Sequence, residues 1–274
     1  MSILSAVFLG FLQGLTEFLP VSSSGHLALV QTLWPALFSG SDTFTFDVLL
    51  HLATLAAVVI AFRKTLIPLF PAALRVTGKL LCRRFRFSGA DGEERMVCLL
   101  FLGTLPLAGA LLLGDRAEAW AACPKAVGSL LILNGVLLFL ADRIPSGRNG
   151  AEMRPRHALI VGCCQLGAIF PGLSRSGSTV TGGLLCGLSR EQAVNFSFLL
   201  SIPAILGAAL TRIPSVVAGP VPAGELLPCV CGMLTAGLTG ALAIRLLRWL
   251  SKRADFRIFS LYCVLIGSAI LLWA

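Results

Sequence analysis

The sequence predicts an all-α polytopic membrane protein with six transmembrane helices, two re-entrant helical hairpins and an inverted-topology internal repeat. Three observations carry this. Of the 274 residues, 56% are hydrophobic and 13% are charged, against about 25% charged in an ordinary soluble domain; the mean hydropathy is +0.88. Six apolar runs come close to the roughly 20 residues that cross a bilayer. Two further apolar segments are split at their centres by Pro, Gly and Ser, and they repeat one another at a fixed offset.

The six runs lie near 44–62, 96–114, 126–141, 192–211, 226–247 and 258–274. The run at 126–141 is short, which neighbouring helices can accommodate by thinning the bilayer. The split segments are 2–38 and 158–189. Their breaks read Pro20-Val21-Ser22-Ser23-Ser24-Gly25-His26 and Pro171-Gly172-Leu173-Ser174-Arg175-Ser176-Gly177. Each flank is too short to span comfortably, and irregular backbone at membrane depth survives only inside protein or beside a water-filled cavity. Helix, broken loop, helix is therefore the expectation for both.

A shift of 152 residues pairs Gln13 with Gln165, Phe18 with Phe170, Ser22 with Ser174, Ser24 with Ser176 and Gly25 with Gly177. Phe44-Thr45-Phe46 meets Phe196-Ser197-Phe198 at the same offset without a gap. One membrane domain over 1–274 thus divides into a repeat at about 1–141 and another at about 153–274, each a hairpin followed by three spans. Three spans invert the second repeat relative to the first, an architecture recurrent in transporters. Loops 63–95, 142–157 and 245–257 share one face and carry eight, four and five Lys/Arg. The positive-inside rule makes that face cytoplasmic and puts both termini outside. The basic stretch 63–95 reads as a cytoplasmic connector touching anionic lipid.

The net charge of +9 follows this topology; no aromatic-basic stripe supports nucleic-acid binding. Nine cysteines without a C-x-x-C pair support neither a zinc site nor a disulfide framework, and read as apolar thiols between helices. The amino terminus has no basic region before its apolar run, so the first segment is expected to stay in the mature protein.

Ionisable groups within apolar segments are functional candidates by default: Glu17, His26, Asp47, His51 and Arg175. Gln13 and Glu17, four apart, share one helix face. A carboxylate and a carboxamide oxygen can hold Mg2+ or Ca2+ when phosphates complete the shell; Glu17 could instead cap the next helix. Ser23 and His26 are three apart at a helix start, where a neighbouring base can activate a serine and free N–H groups attract an anion; a capping serine is the plainer role. Arg175 stands where the offset puts Ser23. A guanidinium there needs an anionic partner, either phosphate or Glu17. Ser22, Ser24, Ser174, Ser176 and Thr179 surround the pair with hydroxyls. Asp47 and His51 can line the cavity or pair together, and His157 reads as solvated.

The stretch Gln13–His26 (QGLTEFLPVSSSGH) resembles the first signature of the bacterial undecaprenyl pyrophosphate phosphatase family, and Phe170–Thr179 (FPGLSRSGST) resembles its second. The resemblance covers essentially the whole chain. It implies hydrolysis of undecaprenyl diphosphate to undecaprenyl phosphate and inorganic phosphate in the bacterial inner membrane. That recycles the lipid carrier for peptidoglycan synthesis, and overproduction is associated with bacitracin resistance. By position it implies Glu17 at a divalent cation, Ser23 as nucleophile, His26 beside it, Arg175 as the essential arginine, and Ser174 and Thr179 as phosphate-holding hydroxyls. The family's first motif opens with Glu or Gln; Gln13 makes any metal site less charged. A transporter of phosphorylated polyprenyl lipid is the rival reading. The partners implied are the lipid substrate and membrane lipids, with no nucleic acid; a homo-oligomer is left open.

Overall fold

The computed structural model describes residues 1–35, 43–144, 152–218, 223–253 and 256–273, so 36–38 of the first split segment, 145–151 of the second basic loop and 254–255 of the third lie outside the described residues. Twelve α-helices carry the described fold: α1 (Ile3–Phe18), α2 (Ser23–Leu33), α3 (Thr43–Ala61), α4 (Arg63–Leu81), α5 (Gly92–Thr104), α6 (Ala110–Ala121), α7 (Pro124–Asp142), α8 (Pro155–Gly167), α9 (Arg175–Leu185), α10 (Arg190–Ala218), α11 (Leu226–Arg253) and α12 (Arg257–Trp273). Four helical stretches are long and apolar enough to cross a membrane: Gly92–Ala121, Pro124–Asp142, Arg190–Arg212 and Leu226–Ser251. Thr45–Ala61 and Arg63–Leu81 qualify as a fifth only as a pair, bent by 89°. Ile3–Phe18 and Arg257–Trp273 are shorter apolar helices.

Long-range contacts define two ends of the bundle. The Met1 amine meets Glu225 at 3.2 Å, and Trp34 packs at a tilt against Trp273 with centroids 6.0 Å apart. The chain therefore enters α1 and leaves α2 at one end, here the Met1 end. Asp142 marks the other. Its carboxylate accepts from Arg190 at 2.7 Å, from Arg257 at 3.2 Å and from the Phe256 N–H at 3.1 Å, fastening the close of α7 to the starts of α10 and α12. Removing it would take a buried anionic acceptor from both guanidinium groups and from the Phe256 N–H at once. Asp142→Ala is expected to destabilise the fold on the order of 3 kcal/mol, read as a lower midpoint of thermal unfolding in detergent. An unchanged midpoint would show that the three helix ends hold together without it.

The helices approach closely because small residues sit where they cross, the device by which apolar helices pack without a hydrophobic driving force. A Cβ on Gly14 would lie 2.4 Å from the Ala236 carbonyl, and one on Gly10 would lie 2.2 Å from that of Gly232. α1 accordingly lies along α11 over most of its length. Beneath the breaks, Phe18, Phe62 and Phe198 pack as an aromatic cluster, with Phe198 5.7 Å from Phe18 and 5.6 Å from Phe62.

Two expectations change. The stretch 63–95 is no simple connector, because residues 63–81 form α4, an amphipathic helix turned across the Asp142 end. Its basic Lys79 and Arg75 hold Glu94 of α5, Lys79 at 2.6 Å and Arg75 at 3.3 Å. His157 is buried, its Nδ1 accepting the Arg154 N–H at 3.4 Å in a helix-start box. A terminal position next to basic residues did not reveal that the ring folds back on its own helix.

Candidate active site

The two breaks have local causes. Leu19, just before Pro20, is extended (ψ 147°), as a residue preceding proline is biased to be, and α1 ends there. Ser22 then adopts φ 70° and ψ 91°, left-handed backbone that non-glycine residues seldom occupy. The strain is held by three bonds. The Ser22 Oγ accepts from Gly25 N at 3.3 Å and from Gly172 N of the other loop at 3.1 Å, and its carbonyl meets His26 Nδ1 at 2.7 Å. In the second loop Gly172 has φ +111°, and a Cβ there would lie 2.6 Å from the Val127 carbonyl. Gly172→Ala is thus opposed by backbone and by space together. It is expected to destabilise by about 2 kcal/mol and to cost activity through the displaced loop; wild-type values of both would refute the close fit.

Asn134 of α7 ties the loops together. Its Nδ2 donates to the Pro20 carbonyl at 2.9 Å, and its Oδ1 accepts from Ser174 N at 3.0 Å. Ser176 Oγ adds a bond to the Leu19 carbonyl at 3.1 Å. The starts of α2 and α9 are thereby brought together, each capped by a serine, Ser22 and Ser174. Converging helix N-termini favour an anion.

Glu17 lies where the loops meet. Its Oε1 accepts from Arg175 at 2.6 Å. Its Oε2 accepts from Ser23 Oγ at 2.6 Å and from Gln13 Nε2 at 3.0 Å. His51 Nε2 stands 3.7 Å from the same oxygen, while its Nδ1 meets the Asp47 carbonyl at 2.7 Å. The Glu17 side chain is only 5% exposed, against 17% for Arg175 and 32% for His51, so the carboxylate is enclosed while its partners retain an open side. A short serine-to-carboxylate bond beside an arginine with spare N–H groups can do two things. It can draw the proton from Ser23, and it can present a cation to an incoming anion.

The structure sorts the candidate residues. Glu17, Ser23, Arg175 and Gln13 are brought together. Ser24 lies beside Ser23, half-buried, with no hydrogen bond among the described residues. Ser22, Ser174, Ser176 and Thr179 are engaged in the fold itself, Thr179 Oγ1 lying 2.6 Å from Ser197 Oγ. His26 points away from the Ser23 hydroxyl, its Nε2 2.8 Å from Tyr262 Oη. Asp47 and His51 do not pair through their side chains; Asp47 accepts from Gln31 at 3.0 Å, and His51 turns to Glu17.

Asn134, Tyr262 and Ser197 are site-shaping residues that the sequence reading passed over. A carboxamide inside the apolar run 126–141 was the one available signal for Asn134. For a cation, Gln13 Oε1 is the telling atom. It is buried, without a hydrogen-bond partner, on the carboxamide that contacts Glu17. Gln13 Oε1, the Glu17 carboxylate and Ser23 Oγ are oxygen donors of the kind that Mg2+ or Ca2+ takes, although Gln13 meets Glu17 here through Nε2. Among the described residues no group of three His, Cys, Asp or Glu side chains could hold a metal unaided.

Comparison with known proteins covers nearly the whole chain. The family model described as bacitracin resistance protein BacA matches residues 6–269. An undecaprenyl-diphosphatase of Methanosphaera stadtmanae is 39% identical, over 97% of this chain and 96% of its own. One from Korarchaeum cryptofilum is 39% identical over 99% of both chains. One from Geobacter sulfurreducens is 38% identical over 99% of this chain and 98% of its own.

Proposed function

The chain belongs to the bacitracin resistance protein BacA family, and from that premise we propose that it is an undecaprenyl-diphosphatase working through Glu17, Ser23 and Arg175. It hydrolyses undecaprenyl diphosphate to undecaprenyl phosphate and inorganic phosphate, returning the carrier lipid to envelope synthesis. The observation that carries the reading is the Ser23–Glu17–Arg175 chain, with 2.6 Å on each side of the carboxylate.

The polyprenyl tail lies in the bilayer and the diphosphate enters between the starts of α2 and α9. Arg175 transfers its free N–H groups, and then its contact with Glu17, to the terminal phosphate. Ser23 Oγ attacks the terminal phosphorus while Glu17 Oε2 accepts its proton. An O–P bond forms to serine, the bridging P–O bond breaks, and undecaprenyl phosphate leaves with the electron pair. Glu17 passes that proton to the departing phosphate and takes another from the water that attacks the phosphoserine. It returns this second proton to Ser23 Oγ as the Oγ–P bond breaks and inorganic phosphate leaves. Charge spreading over the transferred phosphoryl group meets Arg175 and the helix N–H groups, the electrostatic stabilisation on which such reactions depend. Gln13 and Glu17 would hold a divalent cation, which would neutralise substrate charge there. His26 holds the strained turn on which Ser23 sits, through the Ser22 carbonyl and Tyr262.

The same reading assigns six spans and two hairpins in the cytoplasmic membrane. The spans are α3, α5 with α6, α7, α10, α11 and α12; α1–α2 enters from the Met1 end and α8–α9 from the Asp142 end. Met1 beside Glu225, Trp34 beside Trp273 and Arg190 beside Asp142 support that order. The second repeat, from about residue 153, then runs inverted to the first. Basic stretches concentrate at the Asp142 end, which makes it cytoplasmic and places the termini outside.

Purified protein in proteoliposomes, given undecaprenyl diphosphate with and without chelator, tests the function. Phosphate release without other proteins supports it. Lipid translocation without phosphate release would replace it by a transporter.

A further inference from the structure

A cavity of about 410 Å3 opens at the Asp142 end, in the elbow between α3 and α4. Arg63, Lys64 and Arg248 line it with Thr65 and Asn195, and no carboxylate lines it among the described residues. Two of the cations are held in place without being neutralised: Arg63 donates to the Ile60 carbonyl at 3.1 Å, and the Arg248 guanidinium lies 5.3 Å from the Phe62 ring centroid. An apolar groove of about 280 Å3 between α4, α5 and α10 shares Leu199 with the cavity and is lined further by Leu66, Leu69, Phe70, Leu100 and Ile202. Along α3, the ten residues from His51 to Ala61 put the cavity about 15 Å from the candidate active site, so it is a separate place.

A cluster of three cations beside an apolar groove has the polarity of a phosphorylated lipid. The balance of charge narrows the head. A phosphodiester carries one negative charge, whereas a phosphate monoester carries about −1.5 to −2 near neutral pH, closer to three cations that no acid offsets among the described residues. The setting agrees, since α4 turns 89° from α3 and shows Ile67, Phe70 and Leu74 outward beside its basic residues, the pattern of a helix lying in a membrane interface.

We propose that this elbow is a second lipid site, holding a lipid whose head is a phosphate monoester. The head sits among Arg63, Lys64 and Arg248, and the chain runs along the groove of Leu69, Leu199 and Ile202. The site stands whether or not Glu17 and Ser23 hydrolyse a diphosphate, although the lipid product of that hydrolysis is of the same class.

The test is native mass spectrometry of the full-length protein titrated with phosphatidic acid, phosphatidylglycerol or inorganic phosphate. Phosphatidic acid is expected to bind about tenfold tighter than phosphatidylglycerol, with inorganic phosphate weaker than both. The combined Arg63→Gln, Lys64→Gln, Arg248→Gln variant loses that preference while keeping wild-type helicity, and Arg248→Gln alone reduces it. Glu17→Gln keeps the preference even where hydrolysis is lost, so failure of the active-site reading and failure of this one are told apart. Equal binding of the two lipids, inorganic phosphate binding as tightly as either, or a preference that survives the combined variant would overturn the proposal.

Discussion

Replacing Arg175 by alanine is expected to lower kcat for phosphate release by about 10^3- to 10^4-fold, which is about 4 to 5.5 kcal/mol of transition-state stabilisation. Arg175 contacts Glu17 through a single terminal nitrogen, so most of its donors remain available to a phosphate. Phosphoryl transfer offers the protein little covalent work beyond positioning and charge, and loss of the one guanidinium at this site removes both. Arg175→Lys separates two roles. Lysine keeps a positive charge for Glu17 but lacks the planar fork, so stability should stay near wild type while kcat falls by about 10^2. Arg175→Ala also leaves Glu17 buried without its cation, which lowers stability. Adding Glu17→Gln should restore that stability and no activity. An Arg175→Ala enzyme within threefold of wild type in kcat would reduce the arginine to a structural partner.

Much of the helical layout was legible because its cause is local. Long apolar runs become helices in lipid whatever their surroundings, and Pro20, Pro171 and the serine clusters interrupt them for reasons of backbone chemistry. The span expected at 126–141 proves to be α7, Pro124–Asp142, which starts at a proline in the first helical turn and ends at the ion-paired Asp142. Residues 63–81 were harder. Their mixture of Arg, Lys and Pro lowers hydropathy as a loop does, and only the periodic face of α4, laid over α5, shows why they are helical.

The site divides along the same line. Gln13 with Glu17, and Ser23 near them, follow from spacing within one segment. Arg175 beside Glu17 follows from the offset repeat, and its ion pair was one of two partners the sequence allowed. Rotamers did not follow. Spacing of three puts Ser23 and His26 on adjacent turns, but it does not say that His26 Nε2 meets Tyr262, 236 positions away. Asn134 bridges Pro20, 114 positions away, and Ser174, 40 away, and neutral amides stand out less than charges in an apolar run. Ser174, Ser176 and Thr179 are candidate phosphate ligands by type, and their bonds to Leu19, Ser197 and one another, which shape α9, do not follow from spacing.

Ser23→Ala is expected to lower phosphate release by at least about 10^3-fold, and Glu17→Gln by a similar factor, with the double variant hardly worse than either. Non-additivity is the discriminating feature. The 2.6 Å bond from Ser23 Oγ to Glu17 Oε2 makes nucleophile and base one unit, so once either is gone the other has nothing left to act on. A different outcome follows if Glu17 works on water and Ser23 only orients the diphosphate. Ser23→Ala would then cost the equivalent of one hydrogen bond to a charged group, about 1.5–3 kcal/mol or roughly 10- to 150-fold, and the two losses would multiply. The steps also differ in what accumulates. A serine nucleophile yields a phosphorylated Ser23 that rapid acid quenching and peptide mass analysis can capture in the wild type, and that disappears in Ser23→Ala. Multiplicative losses together with no phosphorylated serine at any quench time would transfer the attack to water.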